Sequence, residues 1–230
     1  YRISFGGPII KDKLFFFVNY EKKHTVAPGT TKIAATPALP FGSISTVARP
    51  TGEFLSMVSS YLVATYGYKT GLYEGYSNIS DNEKMFARLD WNINNNHRFS
   101  VRYNQVESKS PSPLSTSTTN SGVTFSAINN RASINALSFA NSNYYQAANL
   151  YSGVAELNSN FGSKITNVLR ATYSHQNDPR TTDGSPFPLV DILDGASVLT
   201  SFGYEPFSYG NLRDVKGYTY SDDLSLALGK

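Results

Sequence analysis

The chain has 230 residues, room for one large domain or two small ones at about 150 residues per domain, and its 20 Lys+Arg against 17 Asp+Glu leave a net charge of +3. The basic residues are scattered, which argues against a nucleic-acid binder. Zero cysteines exclude disulfides, thiolate zinc sites and cysteine nucleophiles, three histidines are too few for a His-rich metal site, and no apolar run is long enough for a transmembrane helix. Tyr1 opens in mid-alternation rather than on a signal peptide. Only 16% of residues are charged, against about 25% in an average soluble domain, beside 16 Tyr and 14 Phe. That profile fits a β protein in contact with lipid.

Period-two alternation is the main signal. Tyr1, Ile3 and Phe5 alternate with Arg2 and Ser4, and Gly6-Gly7-Pro8 is expected to break this first strand. In the second, Leu14 to Lys23, Leu14, Phe16, Val18 and Tyr20 share one face, and Phe15, Phe17, Asn19, Glu21 and Lys23 the other. A long connection, Thr25 to Glu83, follows. It holds one expected helix, Gly52 to Tyr66: Phe54, Leu55, Val58, Tyr61, Leu62 and Thr65 recur at helical spacing, Thr51 suits the N-cap, and Gly67 suits a left-handed C′. Ile33, Leu39 and Phe41 are the expected cover for its apolar stripe.

Lys84 to Ile93 and Arg98 to Val106 form a hairpin in which Leu89, Trp91, Phe99 and Val101 all occupy odd positions. Residues on one face must pair with one another, so the loop between them has an odd length. A five-residue loop would oppose Asp90 to Arg102; a three-residue loop leaves them diagonal. The second long connection, Glu107 to Leu150, includes a Ser/Thr/Pro-rich stretch from Ser108 to Asn120 that reads as loop. Tyr151 to Ser159 and Lys164 to Gln176 are the fifth and sixth strands. After a third long connection, Asn177 to Lys216, Tyr220 to Leu228 is the seventh, with Gly229-Lys230 as a further short link.

Short links alternate strictly with long ones. A compact soluble domain rarely carries three excursions of this length, whereas a transmembrane β-barrel has tight periplasmic turns at one rim and long extracellular loops at the other. Strands of about 9–11 residues suffice to cross a tilted path through the bilayer. The expected fold is therefore all-β: part of an antiparallel transmembrane barrel of about seven strands, with long extracellular loops and one short helix in the first.

Phase then assigns the faces. Leu14, Phe16, Val18, Leu89, Trp91, Phe99, Val101, Leu169, Tyr173, Leu224 and Leu226 should face lipid, and Asn19, Glu21, Arg88, Asp90, Arg102 and Arg170 the lumen. Trp91 reads as an interfacial girdle residue. Phe202, Tyr204, Phe207 and Tyr209 in the last long loop are candidate ligand contacts. His97 reads as a surface turn residue. Asp191, Asp194 and Glu205 match no EF-hand spacing. Gly6-Gly7-Pro8 lacks the lysine and helix of a phosphate loop. With no Gly-x-Ser-x-Gly elbow for a Ser/His/Asp triad, catalytic, cofactor and metal residues are all expected to be absent.

The stretch Phe5-Gly6-Gly7-Pro8-Ile9-Ile10-Lys11-Asp12-Lys13-Leu14-Phe15-Phe16-Phe17 resembles an early barrel hairpin of Oar-like TonB-dependent outer-membrane receptors, the carboxypeptidase-regulatory-like-domain-containing group. Tyr66-Gly67-Tyr68, Arg88-Leu89-Asp90-Trp91-Asn92-Ile93-Asn94, Asn177-Asp178-Pro179-Arg180 and Phe202-Gly203-Tyr204-Glu205-Pro206 are similar to its later segments. The resemblance implies that residues 1–230 are a partial barrel domain, with plug, TonB box and C-terminal strands lying outside them. It further implies outer-membrane lipid and the TonB complex as partners, and active uptake of a small-molecule, peptide or glycan substrate. A SusC-like glycan importer with a surface lipoprotein partner is the second reading. A soluble adhesive β-sandwich is the third, and it does not account for the strict turn-taking of short and long links.

Overall fold

A computed structural model describes residues 1–117 and 129–228. One large antiparallel sheet dominates it. Its strands, in spatial order, are β1 (Arg2–Ile10), β2 (Leu14–Pro28), β5 (Ser77–Asn92), β6 (His97–Ser112), the pair β7 (Tyr144–Ala147) and β8 (Leu150–Phe161), β9 (Ile165–Thr181) and β12 (Leu212–Leu226). Both β7 and β8 lie between β6 and β9, so the sheet has seven strand positions, as the alternation implies. Among the described residues β1 and β12 each keep one unpaired edge; the sheet is open.

Directly opposed residues share a face, so the register tests the assignment of faces. One row runs Leu14, Trp91, Phe99, Leu157 and Leu169; the next runs Phe16, Leu89, Val101, Ala155 and Ala171. All eleven residues expected to face lipid fall on this side. The opposite side carries Glu21 against Lys84, Arg88 against Arg102, and Glu156 against Arg170. Among the described residues no second sheet of comparable size packs on the apolar side: Leu89 is 39% exposed, Trp91 41% and Leu169 50%. Those exposures are untenable in water over so wide a face, and they suit a wall whose outer solvent is hydrocarbon.

The hairpin loop has the odd length that the faces demand. Ile93 N–H donates to His97 O at 3.0 Å and Asn92 opposes Arg98, leaving Asn94-Asn95-Asn96 as a three-residue loop. Asn94 Oδ1 accepts from the N–H groups of Asn96 and His97 at 2.9 and 3.0 Å, an Asx turn that ties the loop to itself. Asp90 and Arg102 are thus diagonal, and Asp90 bonds Arg88 instead.

Three expectations need correction. Gly6-Gly7-Pro8 does not end a strand; β1 continues through it to Ile10, with a register irregularity only between Pro8 and Ile10. A proline is tolerated because β1 is an edge strand here. The long strands also overrun their expected limits at the long-loop end: β2 reaches Pro28, β5 starts at Ser77, β6 reaches Ser112, β9 reaches Thr181, and β12 starts at Leu212 opposite Pro179. The stretch read as loop from Ser108 is therefore strand as far as Ser112; its residues 118–120, like Gly229-Lys230, lie outside the described residues. Beyond the apolar band the outward face becomes polar too, so alternation vanishes while pairing continues. There Tyr20 Oη donates to Glu83 at 3.1 Å, Lys22 pairs with Glu83, His24 with Asp81 at 2.6 Å, and His175 with Asp214 at 2.9 Å.

The third correction concerns the long loops, which are folded rather than loose. The first holds a short parallel pair, β3 (Ile33–Ala35) and β4 (Val47–Thr51), running straight into α1 (Gly52–Tyr66). The last holds the hairpin β10 (Val190–Asp194) and β11 (Ser197–Phe202). The helix has the expected bounds. Thr51 Oγ1 accepts from Phe54 N–H at 3.2 Å, Gly67 has φ 65°, and the N–H groups of Gly67 and Tyr68 close on Val63 O and Leu62 O. Its buried face is Leu55, Val58 and Leu62, but Ile33, Leu39 and Phe41 do not cover it. The cover comes from Ala34, Ala48 and Tyr68 of the same loop, from Leu137 and Phe139 of the second, and from Phe187, Val190, Ile192 and Phe202 of the third.

Candidate functional site

The six candidate lumen residues all lie on the polar face, in three local groups. Arg88 grips Asp90 two residues along its own strand with Nε and Nη2 at 2.7 and 2.8 Å, and Arg98 reaches the same carboxylate at 3.2 Å. Arg170 binds Glu156 across β8 and β9 at 2.7 Å, while Asn158 donates to Glu156 at 2.9 Å. Glu21 faces Lys84 at 3.4 Å, and Asn19 donates to Ser4 Oγ at 2.6 Å. Arg102 sits opposite Arg88, with Glu156 one diagonal step away. Near the short-turn end these side chains border a polar recess of about 610 Å³, lined by Arg88, Asn92, Arg98, Ser100, Glu156 and Asn158 among others. It can bind polar or ionic groups.

His97 does more than cap a turn: its Nδ1 lies 2.9 Å from Ser159 Oγ, and its ring meets Phe161 edge-on at 5.6 Å. The carboxylates of the last loop are dispersed. Asp191 takes a two-pronged bond from Arg131 at 2.8 and 2.7 Å, and accepts from Ser201. Asp194 pairs with Arg49 at 3.0 Å, and Glu205, fully buried, accepts from Ser208 at 2.6 Å. Among the described residues no three potential metal ligands come together.

The four loop aromatics separate. Phe202 is 6% exposed and part of the loop core. Tyr204 and Tyr209 meet edge-on at 5.8 Å beside Pro186, Pro188 and Pro206, around a shallow recess of about 440 Å³. Phe207 is exposed and lines neither recess. Sequence reasoning missed the larger feature next to them. An apolar cavity of about 760 Å³ lies between α1 and the β10–β11 hairpin, floored by Val58, Leu62 and Phe202.

This cavity stands on fixed walls. Tyr68 stacks on Phe187 at 4.3 Å, and its hydroxyl accepts from Gly203 N–H at 3.2 Å; burial holds that phenol above its ordinary pKa. Gly203 has φ 106°, and a Cβ there would strike Pro188 O at 2.1 Å, so the motif Phe202-Gly203-Tyr204 needs its glycine. Arg131, which joins the second loop to Asp191 of the third, also binds Ser115 O and Ser117 O of its own loop. Lys32 joins the first to the second by donating to Ala132 O and Ala136 O at 2.9 and 3.0 Å, and burial lowers its pKa. Helical phase gave the floor of the cavity; its far wall depends on partners about 130 residues away, which no local signal announces.

A single open antiparallel sheet with one apolar and one polar face, turns at one rim and folded loops at the other, is the geometry of an outer-membrane barrel wall. The outer membrane beta barrel domain family matches residues 1–230, the whole chain. No reviewed protein sequence and no solved structure matches it. The chain belongs to the outer-membrane β-barrel family, and its place is the outer membrane of a Gram-negative bacterium, in contact with membrane lipid.

Proposed function

We propose that the chain is part of an energised outer-membrane importer of the TonB-dependent, Oar-like kind, contributing barrel wall and extracellular mouth. The supporting observation is the way the three long loops interlock: side chains from all three form one buried core at the same rim of the sheet. Such a core holds the loops in one shape at the mouth, as a largely pre-formed ligand site on loops requires. The segments that resemble the receptor family add the energy step. A plug carried elsewhere in the full-length protein would close the lumen until TonB acts on it. Asn19, Glu21, Arg88, Asp90, Arg102 and Arg170 would then face the plug and the passing substrate, which leaves chemically unchanged.

The open sheet supports the reading of a partial barrel. Unsatisfied backbone groups in hydrocarbon cost several kcal/mol each, so the edges of β1 and β12 require further strands. The test uses the full-length receptor and the purified periplasmic domain of TonB. Saturable binding of the two, together with a receptor that stays closed in planar bilayers, is the expected result. A steady open conductance without TonB binding would identify a passive porin, and neither property would identify a surface-binding protein.

A further inference from the structure

We propose that the cavity between α1 and the β10–β11 hairpin is a binding site for an uncharged, apolar small molecule, or for such a moiety of a larger substrate. The proposal rests on the receptor reading above and names the chemistry its mouth selects. At about 760 Å³ the cavity has the size of sites that enclose drug-sized ligands, too small for a folded partner. Its walls include Met57, Tyr61, Tyr66, Phe187, Val190 and Ile192, and none of its lining residues carries a charge. An ion entering it would lose hydration with nothing in exchange. A glycan would fare little better, since the phenol groups of Tyr61 and Tyr66 are the only side-chain hydrogen-bonding groups offered.

The apolar lining is also left uncovered. Met57, Tyr61 and Tyr66 project from α1 with 60%, 59% and 60% of their surface exposed, although Leu55 and Leu62 on the same helix are fully packed. Stability would place polar residues at those three positions. The walls are set before any ligand arrives: α1 is capped at both ends, and the hairpin is pinned by Arg49–Asp194 and Arg131–Asp191. Such a site spends little of its binding energy on ordering itself.

Methionine methyl NMR on the full-length receptor in nanodiscs tests this within one molecule, because the chain has two methionines on different surfaces. Met57 lines the cavity, and Met85 lies on the lipid-facing side of β5. Met57→Leu and Met85→Leu assign the two signals. On titration with 2-naphthol, neutral at pH 7, the Met57 signal should move saturably, while Met85 follows only the non-saturable partition of the probe into lipid. Maltotriose should move neither. A spin-labelled lipid should broaden Met85 and spare Met57. Tyr61→Asp, at a position exposed enough for the variant to fold, should weaken naphthol binding severalfold, because it removes one ring of the lining and sets a charge at its rim.

Parallel, non-saturable shifts of both methionines, saturation by maltotriose, or equal broadening of both by the lipid label would each overturn the proposal. The transport reading is tested separately. Loss of TonB binding with naphthol saturation intact would sink transport alone; the reverse would sink only this site.

Discussion

The strand wall and the loop assembly use apolar side chains in opposite ways. Every buried hydrophobic residue of the described chain, from Ala34 to Phe202, belongs to a long loop, and none to the seven-position sheet. The sheet instead turns most of its leucines and aromatics outward, with Leu224 at 69% exposure and Tyr220 at 77% on β12. One region is stabilised by expelling water from an interior. The other is a single layer with no interior on its apolar side, and depends on lipid to cover it. A substitution should therefore report which solvent its region was built for.

The largest difference is expected from the loop core. Phe139 is 1% exposed, within the cluster that joins α1 to the third loop, and Phe139→Ala should cost about 3–5 kcal/mol of local stability. Limited proteolysis of the full-length protein in vesicles should then cleave the long loops much faster and leave the strands protected. Equal loss of protection in strands and loops would mean that the two regions are one cooperative unit.

Next comes the wall. Arginine at Val101, on the apolar face of β6, should cost about 2–4 kcal/mol near the bilayer midplane, whereas arginine at Ser100 beside it, on the polar face, should cost far less. Urea titration of the protein folded into vesicles reads both. If the two variants behave alike, the faces are misassigned.

Thr51→Ala should be milder, about 1 kcal/mol from the lost bond to Phe54 N–H at the start of α1. Amide exchange should rise in the first turn of the helix and stay unchanged in β5 and β6. A change that spreads into the strands would show that the helix helps to hold the wall, which its packing on loop residues alone does not suggest.

The same contrast explains what could be read in advance. Leu89, Trp91, Phe99 and Val101 announce their faces because neighbours in sequence meet different solvents, and the odd hairpin loop follows from their parity. The helix is legible for a similar reason, with Thr51 and Gly67 marking its ends. Past Glu83 and Lys22 both faces of the sheet are mostly polar, with Val26 opposite Ile79 as an isolated apolar pair, so the strand continues with little pattern to betray it. The far wall of the apolar cavity was hidden differently. Phe187, Val190 and Ile192 sit in a stretch of mixed character, and only chain topology brings them to Leu55 and Val58 from another loop. Phe202 stands in a motif that suggested ligand contact, yet most of its surface serves the core.

The smallest expected effect is a weakening of the loop assembly in alkali. Tyr68 is 2% exposed, and burial raises its pKa above the ordinary value near 10, an effect that the Gly203 N–H bond only partly offsets. In the unfolded loops Tyr68 ionises near pH 10; in the folded ones it keeps its proton to higher pH. The folded state therefore binds more protons in that window. Its advantage from this group is complete below about pH 10 and declines as pH rises through the folded-state value. Tyr68→Phe keeps the ring against Phe187 and cannot ionise, though it leaves Gly203 N–H without its acceptor. The variant should accordingly be less stable than the parent near pH 8, and the gap should narrow as the pH climbs past about 10. Loop cleavage by an alkaline-active protease, followed for both proteins across that range, measures it. A gap that stays constant would assign the alkaline weakening to other groups, and Tyr68 would then matter only as a packed ring.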